Sequence, residues 1–230
     1  MSFRRLYGLL LQYGDVLLQG VWTTLTLSVI AMAIALVAGL VACMCVLSRQ
    51  RLLRYPATLL VEFCRNTPIL VQVVWIHYAL PDLIGVKFTA FTSATIALAM
   101  QSSGYLAEEY RAGIESIDRG QFEAAQSLGM TYARLMRRIV IPQAVLRITP
   151  GILNQYVNCL KSTSIVSIIA VPDLMYYATL IVTSTFLPMP VYTLVALIYF
   201  LLIFAIAMAV RVAISRLPNF SYFAHVSGGP

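Results

Sequence analysis

Residues Asp118–Ala144 read DRGQFEAAQSLGMTYARLMRRIVIPQA, an amphipathic run near the middle of a 230-residue chain. Arg119, Arg134, Arg137 and Arg138 make it basic, and long apolar runs lie on both sides. Asp118 can accept from the first backbone N–H groups of a helix, and Gln121 can reach back, a capping-box pattern. QFEAAQSL continues the helix and Gly129 supplies its stop. Thr131 then caps a second helix, YARLMRRIVI, which Pro142 interrupts. The first helix is too short and polar to span a bilayer and only marginally stable alone, so the pair predicts an elbow at the membrane surface. Phe122, Ala125 and Gln126 share one face, a knob suited to a groove in a partner. Arg134, Arg137 and Arg138 can face phospholipid headgroups or that partner's acidic rim. An ordinary amphipathic interface loop accounts for these residues equally well.

Composition decides the solvent around the elbow. A soluble domain is roughly 45–50% apolar and about 25% charged; this chain is 60% hydrophobic and 11% charged, with a mean hydropathy of +0.83. So much apolar surface cannot be hidden inside a water-soluble fold of this length. Lipid must take the excess, and residues 1–230 read as a single transmembrane bundle. The net charge of +7 is spread as Arg residues at helix ends, which argues against nucleic acid. Cys43, Cys45, Cys64 and Cys159 lie in or beside apolar runs and read as small buried hydrophobes rather than a disulfide framework or a metal site. The first apolar run, from near Leu17 to Leu47, is too long for the core of a cleavable signal.

A bilayer core needs about 20 apolar residues of helix. Five spans follow: Val21–Leu47; Ala57–Leu80, ending at the ALPD turn Ala79–Asp82; Phe91 to about Ala107; Pro142 through TSIVSIIAV, closing before Pro172; and Val191–Val210. Alternating the flanks gathers Arg49, Arg51, Arg54, Arg111, Arg119, Arg134, Arg137, Arg138, Arg211 and Arg216 on one side. Arg4, Arg5, Lys87 and the nearly uncharged loop 172–190 fall on the other. The richer side is cytoplasmic by the positive-inside rule, which puts the N-terminus outside and the C-terminus inside.

Polar residues at membrane depth mark where function belongs. VEFCRNTPILVQ places Glu62 and Arg65 three apart, close enough to pair, with Pro68 bending the segment. That pair serves as an interface anchor or touches substrate. QSSGYLAEEYRAG offers Gln101, Ser102 and Ser103 as a polar inner face or as close-packing contacts, and Glu108 with Arg111 as an ionic latch. In NQYVNCLKSTS, Asn154, Asn158 and Lys161 recur at helical spacing and form a polar stripe. Each needs a partner or water, so the stripe lines an aqueous route or a helix–helix interface. His77 reads as a packed or interface histidine. There is no G-x-x-x-x-G-K-[ST] loop, no H-E-x-x-H and no nucleophile elbow, so no cofactor is expected on this chain.

EAAQSLGMTYARLMRRIVIP, Glu123–Pro142, resembles the EAA signature of the membrane subunits of bacterial ABC importers. Glu123, Ala124, Ala125, Gly129, Ile139 and Pro142 keep the pattern, and Ile141 replaces Leu. FCRNTPILVQ, GYLAEEYRAGIESIDRGQ and LKSTSIVSIIAVPDL are similar to permeases of the polar amino-acid uptake subfamily, and the likeness covers about residues 15–215. Asn66 stands where that subfamily often has Gly.

The resemblance implies an all-α, five-helix permease of the type I fold in a bacterial inner membrane. It implies a dimer with a second copy or a related permease chain, and a dimeric cytoplasmic ATPase that uses ATP and Mg2+. An extracytoplasmic amino-acid-binding protein would deliver the ligand. Within segment 118–141, Gln121, Phe122, Glu123, Ala124, Ala125 and Gly129 would form the coupling helix that meets the ATPase. Asn66, Thr67, Gln72, Gln101, Ser103, Asn158, Lys161, Thr163 and Ser164 would lie near the translocation route. A membrane assembly or docking subunit that moves no solute is the alternative, since it needs the elbow but no continuous polar pathway.

Overall fold

The computed structural model describes residues 3–215. Arg216 lies outside the described residues, as do the side chains of Arg4, Arg5 and Arg211. Ten α-helices follow in order among the described residues: α1 (Phe3–Val46), α2 (Arg51–Asn66), α3 (Ile69–Val74), α4 (Leu80–Ile84), α5 (Ala90–Glu115), α6 (Arg119–Ser127), α7 (Tyr132–Leu135), α8 (Ile141–Ser162), α9 (Leu174–Thr185) and α10 (Pro188–Ser215). A π-helical turn, Trp75–Ala79, joins α3 to α4, a second, Met136–Val140, joins α7 to α8, and a 3-10 turn, Thr163–Ile169, closes α8.

Two helices, α1 and α10, are long and apolar enough to cross a membrane by themselves. Counting each of two bent pairs as one span would bring that number to four: α2 with α3–α4, bent by 106°, and Tyr132–Ile169 with α9, bent by 48°. The expected third span, α5, is 26 residues long but too polar to pass on hydropathy. It tolerates polar and small residues because protein rather than lipid surrounds it. Ser93, Ala94, Ala97, Ser102, Gly104, Ala107 and Gly113 on it are all buried, which lets neighbouring backbones approach closely. A Cβ on Gly104 would sit 2.8 Å from Cys64 Cβ and 3.2 Å from the Val61 carbonyl oxygen of α2. The main apolar core forms around α5, where Ala94, Ala97 and Leu98 meet Leu27 and Ala31 of α1, Val73, Ile76, Cys159 and Val166.

Several expected boundaries shift. The first span is part of a 44-residue helix, about 66 Å long, because Gly14, Asp15 and Gln19–Gly20 do not stop it; Leu9 and Leu17 pack against Leu174, Ala178 and Val191. The second span is not one segment ending at a turn. It breaks at Thr67–Pro68, both in extended backbone, since a proline disfavours helical geometry at the residue before it. Ala79–Asp82 is helical instead of a turn, and Gly85, at φ +71°, supplies the stop. The third span runs on to Glu115. Loop 172–190 holds α9, whose N-cap Asp173 accepts from the Tyr176 amide at 2.8 Å.

The cysteines are free, with Cys43, Cys64 and Cys159 buried as expected. His77 is half-buried, with Nδ1 3.0 Å from Ser93 Oγ and its ring edge-on to Tyr78.

Candidate functional site: a polar groove and a helical elbow

α5 and α8 are both too polar along one stripe to face lipid, and the two stripes meet. On α5, Gln101, Tyr105 and Glu109 recur every four residues; on α8, Gly151, Asn154, Asn158 and Lys161 follow at spacings of three and four. Together with Ile69, Gln155 and Ser162 they line an open groove of about 510 Å³. At Gly151 the Glu109 carboxylate reaches over the α8 backbone into the space a Cβ would take. Lys161 and Glu109 are exposed, and neither side chain makes an ion pair or hydrogen bond among the described residues. The groove therefore offers one cation, one carboxylate and a set of amides, all free to meet a small polar molecule.

Of the residues expected along a route, Gln101, Asn158 and Lys161 come together here. The others are used elsewhere. Gln72 is buried, and its Nε2 donates to the Cys64 and Thr67 carbonyls at 2.9 and 3.0 Å. It satisfies carbonyls that the broken end of α2 leaves without helical partners, so it fastens the break instead of lining the groove. Asn66 Nδ2 donates to Glu62 Oε2 at 2.7 Å along the same helix. Ser103 Oγ donates back to the Met100 carbonyl, and its own carbonyl oxygen lies against Gly39 of α1. Thr163 is fully buried, donating to the Leu160 carbonyl, and Ser164 donates to the Lys161 carbonyl. Tyr105 and Glu109 were absent from the expected set, although their positions four and eight residues after Gln101 were visible.

At another part of the bundle the two expected ion pairs form and join. Arg65 lies 3.3 Å from Glu62 and 4.0 Å from Glu108, while Arg111 pairs with both Glu108 and Glu115. Glu108 thereby ties α2 to α5. The side chains in these pairs are 28–51% exposed, so each pair is worth at most about 1 kcal/mol.

The elbow forms, with changes in detail. Asp118 caps α6 by accepting from the Gly120 amide at 2.6 Å. Gln121 does not complete the box; its side chain exchanges hydrogen bonds with that of Gln143 at 2.7 and 3.3 Å, fastening α6 to α8. Gly129 adopts φ +68°, the left-handed stop that a Cβ would disfavour. Thr131 stands at the N-cap of α7 without a side-chain bond.

Pro142 does not interrupt the second helix. The π turn Met136–Val140 absorbs the missing donor, and the path continues into α8 with Pro142 in its first turn. The knob reading is also reversed. Phe122 and Ala125 pack inward on Ile117, Leu135 and Val140, because those residues supply an apolar floor under α6. Glu123, Ala124, Gln126, Ser127 and Leu128 face outward instead, and Leu128 is 81% exposed.

Comparison with known proteins agrees with this arrangement. The chain is 37% identical over 200 residues to the "Probable glutamine ABC transporter permease protein GlnM" of Bacillus subtilis (strain 168), covering 87% of this chain and 92% of that one. It is 36% identical over 204 residues to the "Putative glutamine transport system permease protein GlnP" of Rickettsia bellii (strain RML369-C), covering 87% and 92%. Among solved structures, a crystal structure of an amino acid ABC transporter with histidines superposes with a TM-score of 0.87 at 35% identity, covering 94% of this chain and 99% of that one. An inward-facing MetNI methionine ABC transporter shares the fold, with a TM-score of 0.74 at 17% identity over 94% and 98% of the two chains. Residues 31–217 match the family described as "Binding-protein-dependent transport system inner membrane component". With the free polar groove and the EAA elbow on one helical bundle, the chain belongs to that family of ABC permease subunits.

Proposed function

We propose that this subunit carries polar amino acids inward across the cytoplasmic membrane, with glutamine the first substrate to test, driven by a separate ATPase. The observation that carries the reading is the groove between α5 and α8, where Lys161, Glu109 and the amides of Gln101, Asn154 and Asn158 stand without partners among the described residues. A carboxylate and an ammonium group on one ligand each find an opposite charge there, and side-chain amides find donors and acceptors. A second permease chain, identical or related, completes the route, and an extracytoplasmic binding protein supplies the ligand. The names of the relatives support the substrate class.

Residues 118–141 form the coupling segment within a single domain. A dimeric ATPase, which holds the ATP and Mg2+, docks on the outward face of α6 through Glu123, Ala124 and Leu128, while Phe122, Ala125 and the Gln121–Gln143 bridge transmit its motion into α8. Closure of the ATPase tilts α8 against α5 and opens the groove to alternate sides, and ligand moves because its affinity differs between the two states. The N-terminus lies outside and the C-terminus in the cytoplasm.

Reconstitution into vesicles with the ATPase and binding protein tests this. Glutamine should accumulate against its gradient only when ATP and both partners are present, and Glu123→Ala should weaken coupling between ATP hydrolysis and uptake. Accumulation that persists without the ATPase rejects the reading.

A further inference from the structure

The path from Arg134 to Val145 turns from cationic to apolar along one helix with no break between. α7 passes into the π turn Met136–Val140, and that turn hands directly on to α8. Leu135 and Val140 are buried on the inner side, which sends Arg134, Arg137 and Arg138 outward, where all three are exposed. None of the three makes an ion pair or side-chain hydrogen bond among the described residues, whereas Arg65, Arg111 and Arg147 all do. At spacings of three and four beyond Arg138, the outward side chains become apolar: Ile141 is 49% exposed and Val145 54%.

Seven residues of helix rise about 10 Å, close to the roughly 5–8 Å over which each leaflet passes from headgroup to hydrocarbon. We propose that Arg134, Arg137 and Arg138 cradle the headgroup of an anionic phospholipid whose acyl chains lie along Ile141 and Val145. Guanidinium forks match phosphate oxygens two at a time, and a basic cluster directly beside a spanning helix is where anionic lipid gathers. An acidic protein surface would satisfy the arginines but leave the apolar continuation of the same stripe uncovered; one lipid covers both. The proposal rests on the chain being a membrane subunit and not on which side the elbow occupies.

The assembled transporter, placed in nanodiscs of phosphatidylcholine with increasing phosphatidylglycerol, tests it, because both leaflets then have the same composition. Retained phosphatidylglycerol is counted by native mass spectrometry and ATP turnover is followed in parallel. R134Q/R137Q/R138Q should lose the preference for phosphatidylglycerol by roughly a hundred-fold, and the matching triple lysine variant should fall between that variant and the natural chain, keeping the charge attraction without the bidentate fit. Raising salt should erode the preference of the natural chain and leave the glutamine variant unchanged. Phosphatidylglycerol retention equal to that of the natural chain in the glutamine variant overturns the proposal. So does loss of the ATPase subunit from that variant in every lipid mixture, which would assign the arginines to the partner. Normal lipid retention in a transporter that moves no solute would fault the importer reading and leave the lipid cradle standing.

Discussion

Replacing Gln72 by leucine separates a route-lining residue from a fastening one. Its Nε2 holds the Cys64 and Thr67 carbonyls, at 2.9 and 3.0 Å, across the Thr67–Pro68 break. The leucine side chain would fill similar space but leave both acceptors without that donor. A buried polar group deprived of its partner costs about 1–3 kcal/mol, so two cost roughly 2–6 kcal/mol. Part of this is returned, because Gln72 Oε1 is itself buried without a partner, and deleting it recovers about 1–3 kcal/mol. The expected net loss is about 2 kcal/mol, a fall of roughly 4–8 °C in Tm for a chain of this size. Gln72→Glu should be worse, since an ionised carboxylate presents acceptors to two carbonyl oxygens. Thermal unfolding in detergent, followed with a thiol-reactive dye, measures this directly, because Cys43, Cys64 and Cys159 are buried until the bundle opens. Glutamine KM in reconstituted vesicles supplies the contrast and should stay within about two-fold. A Gln72→Leu protein with unchanged Tm and a KM raised ten-fold would refute the fastening role.

Other consequences are as concrete. Gly104→Ala should destabilise the bundle by about 1–3 kcal/mol, because its new methyl would stand 2.8 Å from Cys64 Cβ; the same thiol-dye melt reads the loss. Glu108→Gln frees Arg65 and Arg111 from their shared carboxylate. It should cost about 1 kcal/mol or less at low salt, with the difference from the natural chain shrinking as salt is added. Leu128→Asp, at an 81% exposed position on the outer face of α6, should abolish co-purification of the ATPase while the Tm of the permease alone stays unchanged. Lys161→Gln should raise the KM for glutamine by roughly ten-fold, the loss of one charge-assisted hydrogen bond, with thermal stability intact.

Much of the architecture was legible along the chain. The excess of apolar residues put it in lipid, the basic residues after Leu47 marked the end of the first span, and Glu123–Pro142 identified the elbow. Pro68 and Gly129 were readable as breakers because each acts on its own backbone, and both act as expected. The junction at Pro142 was not readable, since a π turn can absorb a missing donor without any marker in the sequence. The extension of α1 back to Phe3 was hidden for a related reason: a weak breaker such as Gly20 yields when a neighbouring segment packs against it, here Asp173–Leu174 at the start of α9.

Sequence periodicity established that Asn154, Asn158 and Lys161 share a face, and that Phe122 and Ala125 share another. Only packing decided what covers each face. In water an apolar face points inward and a polar one outward, so sharing a face settles burial. In lipid that rule loses its force, because apolar surface is at home against either lipid or protein, and a polar group is satisfied by a groove, a neighbouring helix or its own backbone. Gln101 on α5 and Gln72 on α3 are the same side chain; one lines the groove and the other fastens a break. Phe122 likewise turns inward only because Ile117, Leu135 and Val140 arrive from elsewhere in the chain to receive it. Local chemistry set the helices and their breaks, and the contacts between distant segments set which polar groups remained free to bind.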